Sequence, residues 1–100
     1  MKLLLALLVS ANLFAPSSLL QSPQKFERQK VTVLGMVSNV VVRQTPAGLI
    51  SQFALCDSRC VNVVKSGKPP AIGESVTISG TFYTIFSNGI IQARNVILVE

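Results

Sequence analysis

The stretch Val31-Thr-Val-Leu-Gly35-Met-Val-Ser-Asn-Val40 decides the fold, and Ser75-Val-Thr-Ile-Ser-Gly80-Thr-Phe82 carries the same signal further along the chain. Each is a run rich in β-branched residues with a glycine inside it. A glycine in mid-strand weakens the strand, so it marks a bulge or a sharp bend at a barrel corner. Two bent strands of this kind predict a small barrel closed around one core, an architecture that points to binding rather than catalysis.

The rest of the chain fits outward from these two runs. The first strand spans about Lys30 to Arg43 and is apolar on both faces, with Val31, Val33 and Val37 on one and Leu34, Met36, Val40 and Val42 on the other. Such a strand needs cover on both sides or must change sheets midway. Gln44-Thr-Pro-Ala-Gly48 reads as a turn. Leu49 to Cys56 and Val61 to Lys65 read as a hairpin around Asp57-Ser-Arg59. Ser66 to Glu74 is a loop in which Pro69-Pro70 excludes a helix, and Ile72 is expected to plug the barrel end. Ser75 to Phe86 and Ile90 to Val99 are the last two strands, joined at Ser87-Asn-Gly89, because Asn-Gly readily takes positive φ. No helix and no internal repeat is expected in the part that follows the leader. A sheet closed on itself also removes the open edges that invite aggregation.

The first residues read differently. Lys2 precedes the apolar run Leu3–Val9, followed by the small residues Ser10 and Ala11. One charge, a short apolar core and small residues make a secretory signal. The run is short for a membrane span, which needs about 20 residues. Val9-Ser-Ala11 suits a cleavage site; Leu13-Phe-Ala15 suits it less, because Pro16 follows. The alternative is an uncleaved anchor. No cysteine nearby suggests a lipid anchor. The expected division is a signal segment at 1–20, a linker at 21–29 whose turn-forming composition begins at Pro16, and a barrel at 30–100. Phe26 is expected to lie on the barrel as a lid. Export makes the protein periplasmic or secreted, with membrane contact only through the signal segment.

Nine Lys or Arg stand against four Asp or Glu, a net charge of +5 that becomes +4 without Lys2. A moderately basic chain favours anionic partners, although a charge of this size also serves plain solubility. Lys25, Arg28 and Lys30 precede the first strand; the other basic residues are dispersed.

In four places the chain resembles the oligonucleotide/oligosaccharide-binding (OB) fold. Val33-Leu-Gly-Met-Val37 resembles its first strand, and Phe53-Ala-Leu-Cys-Asp57 its second. Ile72-Gly-Glu-Ser-Val-Thr-Ile-Ser-Gly80 resembles the start of its fourth, and Ile91-Gln-Ala93 its last. The resemblance covers about Val31 to Val99. It implies an all-β, five-stranded Greek-key barrel, with the proline-rich loop standing where many members carry a helix. The fold hosts many functions, so it does not name a ligand.

Cys56 and Cys60 are the only cysteines. In an exported chain an even pair reads as a disulfide, here closing a loop of about five residues, worth about 2 kcal/mol by loop entropy. A redox-active bridge is the alternative, but the Cys-x-x-x-Cys spacing and its surroundings lack a thioredoxin-like pattern. Two cysteines and no histidine fall short of the four ligands a zinc site takes. The lack of histidine also removes the commonest general base and its nucleophile pairs. Glu27, Asp57, Glu74 and Glu100 are spaced as no catalytic pair. Asp57 is expected to serve its own turn, and Glu74 the backbone at the start of a strand. The expectation is therefore a protein without catalysis, metal or cofactor.

The OB resemblance implies a binding platform on the second and third strands with two flanking loops. Single-stranded nucleic acid needs cations along a groove and rings to stack on. The candidate cations are Arg43, Arg59, Lys65 and Arg94, and the candidate hydrogen-bonding residues are Gln52 and Asn62. Tyr83 and Phe86 are the candidate stacking rings, since Phe53 and Phe82 read as core. The partner expected is single-stranded nucleic acid or another anionic polymer; the alternative is a glycan or a protein, with the chain as a module of a cell-envelope assembly.

Overall fold

The computed structural model describes residues 13–89 and 91–99. The apolar run Leu3–Val9, the cleavage motif at Val9-Ser-Ala11, Ile90 and Glu100 lie outside the described residues. The chain runs through β1 (Leu13–Phe14), α1 (Pro16–Gln21), a 3-10 turn (Pro23–Phe26), β2 (Lys30–Thr45), β3 (Gly48–Cys56), β4 (Cys60–Ser66), β5 (Ser75–Ser87) and β6 (Gln92–Leu98). The protein is thus mostly β, and its five long strands lie where alternation and turn residues place them.

All six strands form one sheet in the order β1-β2-β3-β4-β6-β5, and β2 also pairs with β5. Every long strand therefore has two long neighbours. β4 and β6 run parallel, with Val63 opposite Ile97; the remaining long pairs are antiparallel. β2 makes this possible by changing partner along its length. Residues 30–36 pair with β5 and residues 36–45 with β3, so Met36 faces both Ser75 and Cys56. A register shift follows between Ser38 and Val41, with Asn39 at φ 52°. The bend thus rests on a bulge a few residues beyond Gly35. What Gly35 and Gly80 supply is close approach. A Cβ on Gly35 would lie 2.9 Å from Leu55 Cγ, and one on Gly80 would collide with the Leu98 carbonyl oxygen.

Inward residues of each strand meet in one core: Val31, Val33 and Val37 of β2, Phe53 and Leu55 of β3, Val61 and Val63 of β4, Phe82 of β5 and Ile97 of β6. Ser51 is buried among them and donates its hydroxyl to the Gly67 carbonyl, so the polar atom has a partner. Of the second apolar face expected of β2, Val40 packs against the core and the other three residues are not covered. Leu34 is 45% exposed and Met36 51%. These residues point outward by strand alternation, and no described element lies over them.

Two further expectations are corrected. Pro16–Gln29 reads as a linker, yet it contains α1 and the 3-10 turn. Pro16 and Pro23 each open a helix, where a missing N–H costs nothing and φ is already helical. Leu19 then drops into the core, fully buried. Tertiary burial, rather than propensity, makes this short helix. Ile72 is 69% exposed and plugs nothing; Leu19 occupies the core instead. Phe26 behaves as the expected lid, half-buried on the core with its ring edge-on to Phe14 at 5.1 Å.

Candidate functional site

Register assembles most of the expected binding residues on the outer face of the sheet. Residues paired across a ladder share a face. Arg43 pairs with Ile50, and Ile50 with Ser66. One step along, Gln52 lies between Val41 and Val64. A further step on, Asn62 lies between Ala54 and Val96, and Val96 faces Tyr83. Arg94 pairs with Ile85 beyond that. Arg43, Gln52, Asn62, Tyr83 and Arg94 therefore follow a diagonal across β2, β3, β4, β6 and β5. Arg43 stands toward the far end of β2, where residues 41–44 are exposed.

Three candidates fall elsewhere. Arg59 sits in the turn closed by the Cys56–Cys60 disulfide, at the opposite end of β3 from Arg43. Lys65 pairs with Ser51 and so belongs to the other face; its Nζ donates to the carbonyls of Ser66 and Lys68, each at 3.0 Å. Phe86 is a packing residue. It lies half-buried against Val64, Ile91 and Val96, a second apolar cluster on the outer side of the sheet. Its ring is 6.1 Å from that of Tyr83, tilted by 44°. Tyr83, only partly buried, is thus the ring left for stacking.

Hydrogen bonds fix the middle of this face. Asn62 Nδ2 donates to the Arg94 carbonyl at 2.7 Å, tying β4 to β6 where the ladder between them ends. Arg94 and Ile85 border a cleft with Pro23, Gln24, Thr84 and Asn95. Asn95 at φ 53° turns β6 at this point.

The carboxylates have structural partners. Asp57 accepts the Arg59 N–H, as expected of its turn, and also the backbone N–H and hydroxyl of Ser17 at 3.1 and 2.6 Å. The Ser17 hydroxyl is the main cause that holds the Asp57 carboxyl below its ordinary value. Glu27 accepts the Thr84 N–H at 2.9 Å, and its carboxyl is lowered chiefly by that residue. Glu74 Oε1 accepts the Ala71 N–H at the start of β5, as the sequence suggests. The two links from the N-terminal segment, Ser17–Asp57 and Glu27–Thr84, span 40 and 57 residues, and no local pattern signals them. Among the described residues no three of His, Cys, Asp and Glu come together as a metal would require. No described helix is long and apolar enough to cross a membrane.

Compared with known proteins, the chain matches no family model, no curated protein and no solved structure.

Proposed function

We propose that this chain is an exported, non-catalytic binding protein built on a closed five-stranded OB-type barrel, whose outer face takes single-stranded nucleic acid. Two pairings support the closed barrel: β2 with both β3 and β5, and β4 parallel to β6. The observation that carries the functional reading is the register that brings Arg43, Gln52, Asn62, Tyr83 and Arg94 to one face. Arg43 and Arg94 meet phosphates at either end, Tyr83 stacks a base, and Gln52 and Asn62 offer amides between them. Export, with Val9-Ser-Ala11 as the cleavage motif, suits the disulfide. Filter binding to single-stranded DNA at two salt concentrations tests the reading. With two phosphates neutralised, log affinity falls against log salt with a slope of about −1.4, and the double variant R43A/R94A flattens it. Absence of binding at low salt, or binding indifferent to salt, would sink the proposal.

A second reading, a glycan- or protein-binding module of an envelope assembly, draws on the opposite wall. There β2 leaves Leu34 and Met36 exposed beside a row of hydroxyls on β5.

A further inference from the structure

The outward positions of β5 before Tyr83 are Ser75, Thr77, Ser79 and Thr81, a hydroxyl at every second residue. Register sets them opposite Met36, Leu34, Thr32 and Lys30 of β2. The wall therefore has two halves. At one end Leu34 and Met36 are exposed and apolar. At the other, Lys30, Val31, Thr32, Ser79, Gly80 and Thr81 line a cleft. In that cleft the Thr32 and Ser79 hydroxyls lie 2.9 Å apart, a pair in which either oxygen can donate. Each hydroxyl keeps acceptor capacity for a ligand.

Among the described residues, the cleft carries a positive charge. Lys30 is exposed beside Thr81. Arg28 is held two residues away, its N–H donated to the Phe82 carbonyl. Glu27, the carboxylate of this stretch, accepts the Thr84 N–H and offsets the charge of Arg28, which leaves Lys30 as the cation at the cleft. No carboxylate occurs on either strand of the wall.

We infer that this β2–β5 wall is a binding site for an acidic glycan, with the uronate carboxylate at Lys30, sugar hydroxyls on Thr32, Ser79 and Thr81, and an apolar ring face toward Leu34. The inference rests on the second reading above and gives it a ligand class and an address. Three properties select this class. Hydroxyls that both donate and accept match hydroxyls better than they match phosphates, which only accept. An exposed ammonium asks for an anion. An exposed apolar neighbour suits the carbon face of a pyranose. A phosphate chain would use the charge and leave the other two unused.

The test is titration of the full chain with a polyuronate, a neutral glucan and single-stranded DNA, followed by amide NMR. The polyuronate is expected to bind and to shift residues 30–34 and 77–81. Thr32→Val with Ser79→Ala is expected to weaken it about tenfold, and Lys30→Gln about threefold, as the loss of one or two net hydrogen bonds implies. All three changes lie on the solvent side of strands, and an unchanged thermal midpoint confirms that the fold survives. Polyuronate shifts confined to the face of Asn62 and Arg94 would overturn the site while leaving the second reading standing. No binding of either glycan would overturn the site and its glycan reading together. Equal binding of the neutral glucan, or DNA producing the same shifts on this wall, would overturn the ligand class.

Discussion

Two segments close the two sides of the sheet, and they do it by different chemistry. On the inside, the N-terminal cap lays Leu19 into the main core and Phe26 over its rim. It is held by two carboxylates, Asp57 under Ser17 and Glu27 under Thr84. On the outside, the end of the β5–β6 hairpin packs Phe86 and Ala93 onto Val64, Ile91 and Val96. Neutral groups fasten it: Asn62 to the Arg94 carbonyl, and Asn88 Oδ1 to the Ile91 N–H. Both covers keep apolar strands dry. One is fastened through titratable groups and the Asp57 turn, and the other through neutral amides. The expected nucleic-acid face lies beside the neutral cover.

Leu19→Ala gives the largest effect that separates the two. Leu19 is fully buried, and removing such a side chain costs about 2–5 kcal/mol, including the cavity left behind. Chemical denaturation should show that loss with the slope little changed. Phe86→Ala is milder because its ring is only half-buried, and about 2 kcal/mol is expected. Hydrogen exchange should place its damage at residues 85–94 and leave 13–26 protected. A Leu19→Ala cost under 1 kcal/mol would mean that the helix is an ornament rather than part of the core.

This contrast also marks what the sequence makes legible. The long strands are plain in it, because the β-branched runs in β2 and β5 and the turn residues at Pro46 and Asn88-Gly89 are local signals. The Cys56–Cys60 pairing is equally local, four residues apart and directly opposite in the β3–β4 ladder. The cap is not legible. Pro16-Ser-Ser-Leu-Leu-Gln21 has a linker's composition, and only the space at the end of the core, built from strands up to 78 residues downstream, makes it a helix. The site divides the same way. Arg43, Gln52, Asn62 and Arg94 come together through register, which strand positions partly foretell. Phe86 reads as an exposed ring because its cover, Ile91 and Val96, belongs to the next strand. The hydroxyl alternation of Ser75, Thr77, Ser79 and Thr81 is visible in the sequence, but it acquires meaning only once β2 lies beside it.

Reducing the disulfide should be felt next, and unevenly. The bond closes a short loop, so the global loss is about 2 kcal/mol at most. Asp57 sits inside that loop and receives Ser17 from the cap. With the loop opened, amides 17–21 should lose protection before those of residues 62–64 and 96–98. A Cys56→Ser/Cys60→Ser variant should behave like the reduced protein. Equal loosening of both regions would remove the special link between turn and cap.

Acid should give the smallest and most selective effect. Both cap carboxyls are lowered in the fold, Asp57 mainly by the Ser17 hydroxyl and Glu27 mainly by Thr84. The unfolded chain therefore takes up these protons first, and the stability they supply is complete above their ordinary values of 3.8 and 4.5. It is lost as pH falls through those values toward the lowered ones. Protection factors for residues 17–21 and Thr84 should thus drop on going from neutral pH to about 3, while those under Phe86 hold. Asp57→Asn keeps an acceptor for the Ser17 N–H but no longer titrates, so it should weaken the cap slightly at neutral pH and blunt its response to acid. If the region around Val64 and Val96 loosens over the same pH range, the cap is not separately latched, and the two covers of the sheet open as one unit.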